Sequence, residues 1–427
     1  MLRVLLVNPP IYDFCAYDFW LKPFGLLRVA GRLCGHVELE LFDALDRTDP
    51  RMAQGRRVRS DRYGRGHFRK ERIRTPDVLG DIPRRYHRFG VPRAVFREFL
   101  QQREPFDVAL VQTGMTYWYP GVREVVEDLG SRAARTRIVL GGAYASLCTE
   151  HARSLGADVV IRKNDLTPLW EELGLPPLDE APAWWDGYAR LRTGILKLSD
   201  GCPFSCTYCA SERLHEGFRP RPEGVVAAEV RRLLERGVRD IAFYDDALLY
   251  RAERSLLPFL ATVGGTDSPV RFHTPNALHA RYVTVDLARR MLAGRFKTFY
   301  LGLESASDAW QQRTGRKLTG DEFRQAVAYL REAGATYIHA YVLLGHPHSD
   351  PDSVAAALTL AQGLDVRVML AEFSPLPGTP DGDACSAHTD LAEPLNHNKT
   401  AFPIRLWGRE AVRRLKLLCR DGNRKVI

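Results

Sequence analysis

Cys202, Cys206 and Cys209 stand in one segment, Cys-Pro-Phe-Ser-Cys-Thr-Tyr-Cys, with three residues between the first pair and two between the second. Thiolates bind iron–sulfur clusters and zinc alike, so spacing has to arbitrate. A structural zinc site takes four protein ligands, commonly as two paired hooks. No second Cys-x-x-Cys occurs in the chain, and the nearest additional candidate ligand is His215. Three sulfurs can each hold one iron of a four-iron cluster and leave the fourth iron open. That vacancy points to catalysis rather than storage of electrons. Cys15, Cys34, Cys148, Cys385 and Cys419 are isolated in sequence and read as small buried hydrophobes.

The elements around the trio place it at a strand end. An apolar strand is expected at 194–199, directly before the cysteines. Further strands are expected at 239–245, 270–274, 298–304, 336–344 and 366–373, with helices at 225–236, 285–292, 322–332 and 353–363. Six strand–helix units suggest a partial (β/α)6 barrel over residues 191–378, whose active site lies at the C-terminal strand ends. Upstream, residues 1–165 alternate strands at 3–8, 37–42, 107–112, 137–141 and 158–161 with helices at 24–33, 122–129 and 146–155. That alternation argues for an α/β, doubly wound parallel sheet of the Rossmann-like kind. Residues 51–104 interrupt it as a basic insertion. A Pro-rich, acidic linker follows at 166–190, and residues 379–427 read as a C-terminal cap or tail that includes a polar cluster at 396–400.

At 427 residues the chain is long enough for two full cores, and 45% hydrophobic with 26% charged residues is ordinary globular composition. No apolar run reaches the roughly 18–20 residues of a membrane span. The opening Met-Leu-Arg-Val-Leu-Leu-Val-Asn reads as a buried first strand, not a signal peptide. A cytoplasmic protein with reduced thiols is expected. The formal net charge is +9 and unevenly spread. Residues 51–104 hold sixteen Arg/Lys against six Asp/Glu, and residues 405–427 hold eight against two. Such patches suit nucleic acid or an anionic substrate, although solvated surface arginines are the plainer reading.

Gly201-Cys202-Pro-Phe-Ser-Cys206-Thr-Tyr208-Cys209 resembles the cluster motif of radical S-adenosylmethionine (SAM) enzymes, including the aromatic residue before the last cysteine. The resemblance implies a 4Fe–4S cluster held by the three cysteines and SAM chelating the open iron. One electron from an external reductant such as flavodoxin or ferredoxin would then yield a 5′-deoxyadenosyl radical. It also implies that Tyr208 lies in the cofactor site and that Asp245 or Asp246 contacts the methionyl amino group. Glu304 or Ser305 would meet the ribose or methionyl part, and Tyr341 and Gly345 would border adenine. Helix capping is an alternative for the aspartates, and a plain turn an alternative for Gly345.

The N-terminal half resembles the cobalamin-binding domain that precedes the radical domain in one large subgroup. The matching pieces are Asn8-Pro9-Pro10, Thr113-Gly114-Met115-Thr116, and Gly141-Gly142 with Tyr144. These fall at strand ends, where doubly wound sheets dock ligands. Tyr117, Trp118 and Tyr119 read as core aromatics. The Asp-x-His-x-x-Gly signature that gives cobalt a histidine ligand is missing, and His87 lacks the aspartate. Its absence fits a cobalt with no histidine beneath it, and equally a domain that has lost cobalamin.

The resemblance implies a cobalamin-dependent methyltransferase acting on an unactivated carbon or phosphorus of a small molecule or natural product. Related chemistry, cyclisation or rearrangement without methylation, is an alternative. A second is radical modification of RNA, for which the upstream cysteine trio of the methylthio-transferring relatives is absent. A third is a non-catalytic iron–sulfur or cobalamin carrier.

Overall fold

The computed structural model describes residues 1–52, 59–131, 135–264 and 269–426, so part of the basic stretch, 53–58, lies outside the described residues. Two compact units emerge: Met1–Ile195 with Ala228–Val238, and Leu196–Ala227 with Arg239–Ile427.

The first unit strings together β1 (Arg3–Asn8), α1 (Phe24–Leu33), β2 (Glu38–Asp43), α2 (Arg93–Gln101), β3 (Val108–Thr113), α3 (Tyr119–Gly130), β4 (Arg137–Gly142) and β5 (Val159–Val160). Its sheet runs β2-β1-β3-β4-β5, parallel throughout. Val4 to Val7 are fully buried, as expected for a strand covered on both faces by crossover helices. Strand order reverses between β1 and β3, which makes that gap the switch point where such sheets take ligands.

Three stretches differ from, or add to, the sequence reading. The helix expected over 146–155 is two short helices, Ala143–Leu147 and Thr149–Arg153, broken at Cys148 with φ −126° and ψ 53°. The Thr149 hydroxyl bonds back to the Ala145 carbonyl at 3.0 Å, the side-chain competition that interrupts helices. The basic stretch contributes α2, a crossover helix. It also contributes Lys70–Arg72 and His87–Phe89, which pair with Ile11–Asp13 in a small antiparallel sheet. Residues Thr167–Leu173 are helical, and Ala183, Trp185 and Tyr188 after them are buried.

The second sheet is built from β6 (Thr193–Leu196), β7 (Asp240–Phe243), β8 (Arg271–Leu278), β9 (Phe296–Glu304), β10 (Ile338–Leu344) and β11 (Arg367–Glu372), in the order β11-β10-β9-β8-β7-β6. From β7 to β11 the pairing is parallel. Among its helices are α4 (Glu223–Glu235), α5 (Leu256–Gly264), α6 (Val285–Ala293), α7 (Gly320–Glu332) and α8 (Pro351–Gly363). Several begin on caps that the sequence specifies. Thr319 and Glu322 form a reciprocal capping box on α7, and Asp350 accepts the Asp352 and Ser353 amides on α8. Phe243, Phe272 and Phe296 pack edge-to-face, stacked or tilted at 5.1–5.6 Å, and each buried ring contributes roughly 1.5–3 kcal/mol.

The chain ends in α9 (Ala401–Trp407) and α10 (Arg409–Asn423). Asn423 receives the Val368 amide at 2.8 Å and donates to the Val368 carbonyl at 2.8 Å, so α10 occupies the open edge of β11. The polar cluster at 396–400 builds turns. Asn398 accepts the Thr400 and Ala401 amides, and His397 and Asn398 are fully buried. Among the described residues no helix is long and apolar enough to cross a membrane.

Candidate active site

The cysteine segment is an excursion closed at its neck. Just past β6, Ser199–Asp200 pairs antiparallel with Arg219–Pro220. Gly201 has φ +74°, and a Cβ there would meet the Gly217 carbonyl oxygen at 2.0 Å, so only glycine fits. The Cys209 amide bonds the Cys206 carbonyl at 2.9 Å, which turns the last two cysteines back on each other. All three thiols are free, Cys202 and Cys206 half-buried and Cys209 exposed. Burial pushes the Cys202 thiol up to about 12 and raises Cys206 as well, against the lowering effect of Lys317. Metal binding must therefore displace protons here. No three His, Cys, Asp or Glu side chains among the described residues converge on one ion. A four-iron cluster takes its sulfurs on separate irons and does not need that convergence, whereas zinc does.

Strand ends brace the excursion. Asp245, past the end of β7, is 1% exposed and directs Oδ1 at the Leu198 amide (2.8 Å), the Ser199 amide (2.7 Å) and the Ser199 hydroxyl (2.8 Å). It holds the backbone entering the cysteine segment and caps no helix. Burial raises its carboxyl to about 6, only partly offset by Lys197 and by those bonds. Asp246 pairs with Lys197 at 3.2 Å and lies 3.7 Å from His215. Glu304 ends β9 at φ +62°, a left-handed conformation that costs a non-glycine residue about 1–3 kcal/mol, and pairs with buried Lys317 at 2.7 Å. Burial works against the Lys317 charge, but Glu304 and the Cys206 and Cys209 sulfurs outweigh it.

A second brace was not legible in the sequence. Asp381 accepts from the Thr207 hydroxyl and from His346 Nε2 at 2.9 Å. The His346 Nδ1 in turn accepts from Trp310 Nε1 at 3.1 Å, and Tyr208 stacks on Trp310 at 5.6 Å. Thr207 and Tyr208, between two of the cysteines, are thus tied to three distant segments. Lys197, His279, Lys317, His346 and Asp381 had no spacing signal, because groups such as Asp246 beside Lys197 and Asp381 beside His346 are brought to them only by the fold.

The other residues expected around SAM are placed as follows. Ser305 is buried and accepts the Ser307 amide at 3.2 Å. The Tyr341 hydroxyl donates to the Pro275 carbonyl at 2.8 Å. Gly345 has φ +84°, and a Cβ there would meet Pro403 at 2.4 Å, so its backbone conformation and the packing of α9 both call for glycine. Asp245 Oδ2 and both ring nitrogens of His279 are buried without a hydrogen-bond partner, and the buried Tyr208 hydroxyl has only the Cys206 thiol beside it. His279 packs on Phe204 of the cysteine segment at 4.6 Å. Such orphans are costly, and a polar ligand beside the cysteines would satisfy them. The residues present therefore fit a cluster with a bound polar cofactor.

In the first unit the expected ligand-binding pieces gather at the carboxyl ends of β1, β3 and β4. Asn8 turns its side chain to Asp43 at 2.6 Å, and Asp43 also accepts from Tyr188 at 2.6 Å. Lys22 lies over the Tyr188 ring at 4.4 Å and pairs with Asp46 at 3.4 Å. Pro9 and Pro10 follow β1, and the Pro10 carbonyl sits where a Cβ on Gly121 would fall, at 1.9 Å. Thr113 Oγ1 accepts the Ala145 amide at 3.0 Å, Thr116 is buried, and Met115 beside Gly114 is 43% exposed. Gly142 has φ +121° and its Cβ would strike the Thr113 carbonyl at 2.2 Å, while Gly141 would meet only Ile161 at 3.6 Å. Tyr144 is buried against His151. Tyr117 and Tyr119 are core, and Trp118 is half-buried with Nε1 on Asp13 at 3.0 Å. Of the isolated cysteines, Cys385 and Cys419 are buried as expected, but Cys15 and Cys34 are exposed, on loops outside the core.

Residues 196–361 match the family model of the Radical SAM superfamily. Among sequence relatives, a threonylcarbamoyladenosine tRNA methylthiotransferase of Thermotoga maritima is 24% identical over 61% of this chain and 64% of its own length. An uncharacterized methyltransferase of Pyrococcus horikoshii is 27% identical over 68% of this chain and 61% of its own. The chain thus spans about three fifths of the length of these relatives. The structure of the radical SAM methyltransferase TsrM from Kitasatospora setae superposes with TM-score 0.67 at 15% identity, covering 97% of this chain and 89% of that one. The cobalamin-dependent SAM radical enzyme OxsB superposes with TM-score 0.60 at 12% identity, over all of this chain and 62% of that one. The cysteine segment at the end of β6 lies within the matched stretch, so residues 196–361 form a Radical SAM domain, and the chain as a whole has the fold of TsrM and OxsB.

Proposed function

We propose that this enzyme is a cobalamin-dependent radical SAM methyltransferase acting on an unactivated carbon or phosphorus of a small molecule. The observation that carries this reading is the pairing of the cysteine excursion with a complete 2-1-3-4-5 sheet whose switch-point loops are rich in glycine and proline. TsrM, solved with cobalamin and a 4Fe–4S cluster, shares this fold across 98% of the chain. When bound, the cluster and SAM supply a 5′-deoxyadenosyl radical, and the corrinoid supplies a transferable methyl group.

The chain's own residues would bind and orient. Cys202, Cys206 and Cys209 would hold the cluster, with Tyr208 and Lys317 beside the sulfurs. Asp245, with one free oxygen, suits the cofactor's amino group, and Glu304 and Ser305 suit its polar body. The loops at 113–116 and 141–142, at the carboxyl ends of β3 and β4, are the ones that would face a corrinoid. An external one-electron reductant is required. The methylthiotransferase relatives keep radical RNA modification as a second reading, favoured by the basic 51–104 stretch.

Anaerobic reconstitution with iron, sulfide and hydroxocobalamin, followed by absorption spectroscopy after desalting, tests the reading. Retained corrinoid near one per chain is expected; none retained removes cobalamin from the mechanism. Cys206→Ala should abolish 5′-deoxyadenosine formation from SAM under dithionite, and retained product would sink the radical assignment.

A further inference from the structure

The basic stretch that interrupts the first unit folds into a shape the catalytic reading does not use. Strands Lys70–Arg72 and His87–Phe89 run antiparallel, with Arg72 opposite His87, and the Ile73 amide extends the ladder to the Tyr86 carbonyl at 3.2 Å. Residues 74–85 form the excursion between them, pinned from below by buried Leu79, Ile82 and Tyr86. At its neck a cavity of about 460 Å³ is lined by Arg72, Arg74, Arg84 and Arg85 with Ile73, Thr75 and Tyr86.

Two arginines come from each arm, so four like charges line one cavity, an arrangement that is repulsive unless something offsets it. Arg74 has Asp77 at 2.7 Å, an exposed pair. Arg72, Arg84 and Arg85 make no ion pair with any described residue. Burial first, and then the charges of Lys70, Arg72 and Arg85, hold the neighbouring His87 imidazole below its usual value. A concave wall of one sign focuses that potential, and guanidinium forks match phosphate oxygens bidentately.

We propose that this cavity is a binding site for a phosphate or pyrophosphate group carried by a small molecule. The volume lies within the few hundred Å³ usual for small-ligand sites. Within this cavity RNA is disfavoured, because single strands bind on exposed aromatic platforms and the one aromatic lining it, Tyr86, is 1% exposed with its hydroxyl on the Tyr12 carbonyl at 3.0 Å.

Calorimetric titration of the full-length protein with pyrophosphate at low salt tests this. Saturable binding is expected, weakened at least tenfold in Arg72→Gln/Arg85→Gln. An Arg324→Gln/Arg413→Gln control, which removes equal charge elsewhere, should bind as the parent does. No saturable binding, or equal loss in the control pair, overturns the site. Tighter binding of a twenty-nucleotide RNA, lost in the same double variant, overturns it in favour of a nucleic-acid surface. The substituted side chains are exposed, and should the double variant fail to fold, Arg84→Gln alone carries the test with a severalfold loss expected.

Discussion

Asp245 is a residue whose two oxygens have different fates. Oδ1 is saturated by two amides and a hydroxyl, and Oδ2 is buried with no partner. Its carboxyl is raised to about 6, so the folded state holds the proton more tightly than the unfolded chain does. Stability contributed by this group is therefore greatest below the unfolded value near 4 and falls as pH rises toward 6. Asp245→Asn keeps an acceptor for the backbone and removes the buried charge. In urea unfolding of the iron-free protein at pH 7.5, this variant should be at least as stable as the parent, by up to roughly 2 kcal/mol. SAM affinity should nevertheless fall at least tenfold in equilibrium dialysis. A variant that is destabilised yet binds SAM normally would mean that the residue only braces the loop.

Strands and their ends allow sharper tests. Asp240 begins β7 and is buried between Arg271 (2.7 Å) and His273 (3.0 Å), both on β8. Burial would raise its carboxyl, but the His273 and Arg271 bonds outweigh burial and hold it below the ordinary carboxylate range. A depressed value stabilises the fold above the unfolded value near 4, and that contribution is lost as pH falls through the folded value. Asp240→Asn should cost about 1–3 kcal/mol at pH 7 and flatten the acid limb of the stability curve below about pH 4, measured by urea midpoints across pH. The end of β4 offers a paired test, because its two adjacent glycines differ. Gly142→Ala drives a Cβ into the Thr113 carbonyl at a left-handed φ and should cost about 2 kcal/mol or more. Gly141→Ala meets only an ordinary contact and should change melting by less than about 1 kcal/mol. Equal effects would show that β4 relaxes in a way its geometry does not suggest.

At the level of the whole molecule, the donors for the proposed cofactors fall in separate compact units. A chain carrying Ala at Cys202, Cys206 and Cys209 should bind no cluster, yet retain corrinoid with affinity unchanged within about twofold by spectral titration. Loss of corrinoid in that chain would show that the cluster segment is needed to form the first unit's crest.

Parts of both units were legible because parallel α/β folds write themselves in local pattern. Fully buried strands appear as apolar runs such as Val4–Val7 and 298–303, and helix starts carry their own caps, as Thr319 and Glu322 do. The cysteine spacing is likewise local, so the chemistry of that loop follows from eight consecutive residues. Local pattern also misled, as at 146–155, where apolar spacing suggested one helix and hydroxyl competition split it at Cys148. What only tertiary structure decided are pairings between residues far apart in sequence. Asp381 reaches back 174 positions to Thr207, Tyr188 reaches 145 to Asp43, and Gly345 is glycine because Pro403 arrives against it. Side-chain type and spacing determine which groups can do chemistry along one stretch of backbone. Which distant groups hold them in place depends on chain closure, and closure leaves no period in the sequence to read.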